Sequence, residues 1–153
     1  MILIFKSARH LEYREKDRLL FSCPICLGSQ PEGHKLSEGD GRTPEGDYRV
    51  CTVNRESKFH LALGISYPSV RDARAARKAG RIGLIDYLRI AVPSLVRLRP
   101  GWHTPLGGCI MIHGRPDYPV SGDWTKGCIA LSDADIEALA ALAPKGTRVR
   151  ILP

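Results

Sequence analysis

Apolar and polar positions alternate in short runs through the first fifty residues. "ILIF", "LEY" and "LLFSC" are apolar pieces separated by charged turns at hairpin spacing, which predicts three strands. The stretch "GSQPEGHKLSEGDGRTPEGDYRV" then breaks the alternation. Dense in Gly, Pro, Asp and Ser, it predicts a long ordered loop or a pair of turns. Loops of that length inside a compact domain are often functional. "FHLALGISYP" alternates again and predicts another strand.

The period then changes. Ser69 or Asp72 can cap a short polar helix through "ARAARKAG", ending near Gly80. In "RIGLIDYLRIAVPSLVRLRPG", Ile82, Ile85, Leu88 and Val92 fall at helical spacing until Pro93 interrupts. This predicts two short amphipathic helices with arginines outward, as a core-facing helical hairpin or a membrane-surface element. We expect the segment from Ile82 to Leu98 to border a functional cleft, because it precedes the next strand. Arg89 and Arg97 would then meet substrate carboxylates. "CIMIH", "CIAL" and "TRVRIL" predict strands. "SDADIEALAALA" predicts a helix capped by Ser132 with Asp135 and stopped by Pro144. The balance is mainly β with a few short helices.

Composition narrows the class. A chain of 153 residues suits a single domain spanning 1–153. With 25% charged and 43% hydrophobic residues it reads as globular, and no stretch approaches the roughly 20 apolar residues of a membrane span. "MILIFKSARH" fits a first strand better than an export signal, since four apolar residues meet Lys6 almost at once. The formal charge of +7 favours anionic partners. The arginines are scattered and no nucleic-acid motif accompanies them, so nucleic-acid binding is not expected.

The chemistry concentrates near the end of the chain. Alternation points Ile110 and Ile112 into the core, and Cys109, Met111 and His113 the other way. His113 ends its strand, and Gly114 permits a tight turn. Fifteen positions later Cys128 follows Gly127. A glycine there lets the chain turn sharply and a substrate approach, leaving nearby amides to hold an oxyanion. An imidazole can activate a thiol by taking its proton, and a backbone carbonyl beside His113 could orient the ring. By spacing alone, two buried structural side chains are the simpler reading of the pair.

The other cysteines offer rivals. "CPIC" at 23–26 lacks the second ligand pair of a zinc site and the βαβ context of a redox motif, so no metal is expected. Cys109 shares a strand face with His113, but four residues of strand separate them by about 13 Å. That places Cys109 on or under the cleft floor. His60 and Tyr67 are candidates for the cleft border.

The sequence resembles a known family at these residues. "IHG", the fifteen-residue step from His to Cys, and "TKGCIAL" are similar to the signature of the L,D-transpeptidase (YkuD) catalytic domain. "HKLSEGDGRTPEGDYRV", "LALGISYPSVRDARAA" and "KGTRVRILP" are similar to its murein L,D-transpeptidase branch, from about Lys35 to the C-terminus and more loosely over the first strands.

The resemblance implies a β-sandwich-like mixed sheet fold. It implies Cys128 as nucleophile, His113 as base, the Gly114 carbonyl as the ring's orienter, and the Gly127 and Cys128 amides as part of an oxyanion hole. Trp124, Thr125 and Lys126 would bind substrate. Lys126 stands where many members have His, and Ala130 where many have Arg. The implied partners are peptidoglycan stem peptides in the cell envelope, with no cofactor and a monomeric state. The implied reaction forms 3→3 crosslinks through an acyl-thioester. The alternative is an L,D-carboxypeptidase or a hydrolase of wall-linked peptides, including a delivered wall-targeting toxin. Carbapenems, which mimic the acyl donor, would acylate Cys128.

Overall fold

The computed structural model describes residues 1–153. Alternation builds most of the sheet. In β1 (Ile2–Phe5) Ile2 and Ile4 are buried, and in β8 (Arg148–Leu152) Val149 and Ile151 are buried while Arg148 and Arg150 face solvent. These two strands pair in parallel. Hairpins add β2 (His10–Glu15) and the edge strand β3 (Arg18–Pro24) on one side. On the other side run β4 (Gly46–Ser57), β5 (His60–Ile65), β6 (Met111–His113) and β7 (Ile129–Ala130).

The eight strands form one curled mixed sheet, ordered β3-β2-β1-β8-β4-β5-β6-β7. β4 is the hinge of the curl. Its first residues pair with β8, its later ones with β5, and the register shifts between Val50 and Thr52. Inside the curl lies a core of 22 buried residues drawn from both halves, including Ile2, Leu11, Ile151, Leu63, Ile112 and Ile129. The helix α3 (Asp133–Leu142) closes it with Ile136 and Leu139.

The sequence hides β4. "DYRVCTVNRES" places Asp47, Arg49, Arg55 and Glu56 at irregular spacing, and its start lies inside the expected loop. The rest of that loop is ordered by a buried lysine. Lys6, 2% exposed, gives its Nζ protons to the carbonyls of Gly33 and Thr43 and to Glu45 Oε1. An ammonium removed from water needs such a full set of acceptors, so the loop is pinned to β1.

The helical segment also departs from expectation. Helix α1 (Val70–Lys78) has the expected cap: Ser69 Oγ accepts from the Asp72 amide and Asp72 returns the bond. The next segment, however, forms one helix, α2 (Leu84–Leu95), that contains Pro93. Pro93 cannot donate to the carbonyl of Arg89. That carbonyl instead accepts from the amide of Gly101 at 3.0 Å, and Ser94 Oγ donates to Ile90 O at 2.7 Å. The helix therefore runs through the proline.

Its burial is reversed as well. Ile90 and Ala91 pack inward, with Ile82 just ahead of the helix, while Ile85, Leu88 and Val92 lie on the solvent side. No helix is long and apolar enough to cross a membrane.

Candidate active site

β6 and β7 are only three and two residues long, so their neighbours fix the site. Their parallel register pairs Ile112 with Ile129 and His113 with Ala130. One step back, Cys128 lies beside Met111, whose amide donates to Cys128 Sγ at 3.4 Å. Side chains two apart in a strand share a face, so the thiol and the imidazole of His113 open on the same side. Both line a cleft of about 870 Å³.

His113 is 2% exposed. Its ring stacks on Phe59, with centroids 4.4 Å apart, and meets the Trp124 edge at 5.7 Å. Nδ1 lies 2.7 Å from the Gly114 carbonyl oxygen. A carbonyl only accepts, so Nδ1 carries the proton and Nε2 keeps a free lone pair. Burial pushes the imidazole below its ordinary pKa; the Gly114 bond opposes this, and the Lys58 charge adds to it. The ring is therefore neutral at pH 7 and able to accept a proton.

Gly114 itself has no room for a side chain. A Cβ there would lie 2.3 Å from Asp133 Oδ1 and 2.9 Å from the Phe59 carbonyl oxygen. The same Asp133 oxygen accepts from the Arg115 amide at 2.8 Å, which ties the turn to the start of α3.

The thiol side is built as a clamp. Asp123 accepts from the Leu27 amide at 2.8 Å and pairs with Arg9 at 2.8 Å. Thr125 Oγ1 accepts from the Gly127 amide at 3.1 Å and donates to the Cys128 carbonyl at 2.7 Å. The Gly127 amide is already engaged by Thr125 Oγ1. Thr125, 4% exposed, holds the turn with its hydroxyl. Trp124, Thr125 and Lys126 all line the cleft.

Gly127 is needed for a reason other than substrate approach. Its φ is +123°, and a Cβ would lie 2.5 Å from the Arg42 carbonyl oxygen. The approaching backbone is the long loop, which lends Lys35, Glu38 and Gly39 to the cleft. Lys35 donates to Asp40 at 2.8 Å. Burial raises the Asp40 pKa, but the Lys35 bond and the amides of Leu36, Ser37 and Arg42 overcome it and bring it down to about 2.

The Cys128 thiol is raised above its ordinary pKa by burial, opposed by the Met111 amide, so at neutral pH it is protonated until a base takes the proton. It donates weakly to the Cys109 carbonyl at 3.6 Å. Burial also pushes up Cys23 (to about 12), Cys51 (to about 11) and Cys109.

Cys109 lines the cleft but lies outside the strand, because its φ of +53° breaks the extended run. The segment from Ile82 to Leu98 contributes nothing to the cleft, so the wall expected of it, with Arg89 and Arg97, is absent. The hairpin tip 57–59 and the loop 107–111 stand there instead, with Lys58 as the cation. Tyr67 is fully buried, donating to the carbonyls of Leu106 and Lys35, and His60 turns outward to Glu137 at 2.6 Å. Sequence reasoning missed Phe59. Its one signal was position, at the start of the "FHLAL" run next to His60.

Comparison with known proteins identifies the family and the fold. The L,D-transpeptidase catalytic domain family matches residues 1–151, reaching further toward the N-terminus than the sequence motifs do. No curated protein sequence matches the chain. Among solved structures, the helical cell shape determining protein Pgp2 from Campylobacter jejuni is 25% identical with a TM-score of 0.68, over 98% of this chain and 46% of that one. Bd1075 from Bdellovibrio bacteriovorus is 21% identical with a TM-score of 0.63, over 99% of this chain and 46% of that one. L,D-transpeptidase 1 from Mycobacterium tuberculosis shares the fold at 12% identity and a TM-score of 0.55, over 99% of this chain and 60% of that one. The chain thus spans less than half the length of the first two relatives. A family match over nearly the whole chain, on a sheet that brings "IHG" and "TKGCIAL" to one cleft, means that the chain belongs to the L,D-transpeptidase catalytic domain family.

Proposed function

We propose that the protein is a cysteine-dependent L,D-transpeptidase that forms 3→3 crosslinks between peptidoglycan stem peptides in the cell envelope. The observation that carries this is the Nδ1 bond from His113 to Gly114, which leaves Nε2 free on the face that holds Cys128. Nε2 takes the thiol proton, and Sγ attacks the carbonyl carbon of the amide after the third stem residue. The Cys128 amide donates to the oxyanion. The imidazolium returns the proton to the departing D-Ala amine, and an acyl-thioester remains. An amine of a second stem then attacks, gives its proton to His113, and releases the crosslinked peptide and the thiol.

The cleft suits a donor that carries carboxylates. Lys58 and Lys126 are exposed at it, while Glu38 is its one acidic residue. Phe59 and Trp124 pack against the imidazole, which is 2% exposed. Similarity to a cell shape determining protein supports work on the wall.

Purified disaccharide-tetrapeptides incubated with the protein test the reading. Loss of D-Ala with a crosslinked dimer is expected, and no product with Cys128→Ala. Tripeptide alone would make water the acceptor and the protein a carboxypeptidase. No change in the stems would refute the substrate.

A further inference from the structure

The helix α2 has two apolar sides. One, Ile90 and Ala91, is buried in the body of the protein. The other carries Leu84, Ile85, Leu88, Val92, Leu95 and Val96 at three- and four-residue steps, each between 45% and 80% exposed. With Leu98, these make seven of the chain's twelve exposed large hydrophobic residues, all within fifteen positions. Scattered surface leucines need no explanation, but a contiguous stripe about 18 Å long on one helix does. The stripe is also held in place, since the Gly101 amide bonds to the Arg89 carbonyl and Arg99 lies over the Trp102 ring.

Charge narrows what can cover it. Between residues 81 and 99 lie Arg81, Arg89, Arg97 and Arg99 against the single acid Asp86. Arg97 and Leu98 continue into a groove of about 530 Å³ that also carries Arg49, Lys145, Arg148 and Arg150, with Asp47 as its only acid. A second copy would bring one chain of charge +7 against another, which repels. A soluble anionic polymer would satisfy the arginines but leave the leucines and valines in water. A surface that offers acidic headgroups above hydrocarbon satisfies both.

We propose that the outer face of α2 docks the protein on an anionic phospholipid bilayer, with the stripe in the acyl boundary and the arginines at the phosphates. No residue of Ile82–Leu98 lines the catalytic cleft, so docking leaves the cleft open.

Co-sedimentation of the full chain with vesicles tests this. Vesicles of phosphatidylglycerol and phosphatidylethanolamine should bind it at least tenfold more tightly than phosphatidylcholine vesicles, and added salt should weaken the binding. Each basic side chain near such a surface raises partitioning about fivefold, so Arg89→Glu should cost at least that factor. Leu88→Asp combined with Val92→Asp should cost at least tenfold, and Ile85→Asp gives an independent check at another exposed position. Carbapenem labelling of Cys128, unchanged in each variant, shows that the fold persists. Equal binding to neutral vesicles, binding to neither kind, or full binding by the Leu88/Val92 variant would overturn the proposal. So would a dimer in sedimentation velocity that the double variant dissolves, which would make the face a contact between copies.

Discussion

The turn that holds Cys128 and the helix α2 are both apolar runs punctuated by basic residues, yet the fold treats them in opposite ways. Around Cys128, Ile129 and Leu131 are buried, and the polar groups are consumed locally: Thr125 by Gly127 and Cys128, Asp123 by Leu27 and Arg9. In α2 the apolar residues are mostly left outside. A short strand inside a sheet has its facing set by pairing register, whereas a helix on the surface is oriented by whichever side its neighbours offer. The two regions should therefore respond differently to substitution. Chemistry should fail when the turn or its histidine is touched and survive changes on the helix.

The largest expected effect is at the base. His113→Ala should lower the acylation rate by about 10²–10⁴-fold, the range typical for losing a general base. Stopped-flow measurement on the folded variant checks this, and an unchanged rate would break the pair. Gly114→Val comes next. Its first side-chain atom has nowhere to go between Asp133 and Phe59, so we expect a loss of about 1–3 kcal/mol in stability together with loss of the His113 orientation. Denaturant unfolding and the acylation rate together would show both.

Asp40→Asn acts one layer further out, by leaving the buried Lys35 short of its partner. A destabilisation of about 3 kcal/mol is expected. Because folding lowers the Asp40 pKa from 3.8 to about 2, the wild-type protein holds this contribution above pH 3.8 and loses it as pH falls through about 2. The variant should lack that acid-side dependence in thermal melts.

A smaller effect concerns the rate profile. The His113 pKa lies below its ordinary 6.5, so the acid limb of acylation should fall below pH 6.5. The same depression makes stability rise with pH between the folded pKa and 6.5, because there the unfolded chain binds the extra proton. Lys58→Ala removes a charge that disfavours the imidazolium and should move the acid limb upward.

The sequence made much of this fold legible where side-chain period and burial coincide. β1 and β8, the capped helices α1 and α3, and the facing of Ile110 and Ile112 all follow from alternation or caps. β4 was hidden because one strand serves both halves of the sheet and carries charges on its open face. Pro93 misled because a distant amide, that of Gly101, replaces the bond it breaks. Gly127 was rightly singled out as a sharp turn, but the close neighbour is the Arg42 carbonyl, 85 positions earlier in the chain. Phe59 was missed because a stacking partner from a hairpin tip leaves no spacing rule in the sequence.

The most direct test of the central claim asks which of the five cysteines reacts. Only a thiol beside a base should form an acyl-thioester near neutral pH, and Cys128 is the one set on the His113 face of the paired strands. Intact-protein mass spectrometry after carbapenem treatment, followed by peptide mapping, should show a single adduct on Cys128. It should vanish in Cys128→Ser and persist in Cys109→Ser. An adduct on Cys109, or none on any cysteine, would contradict the account.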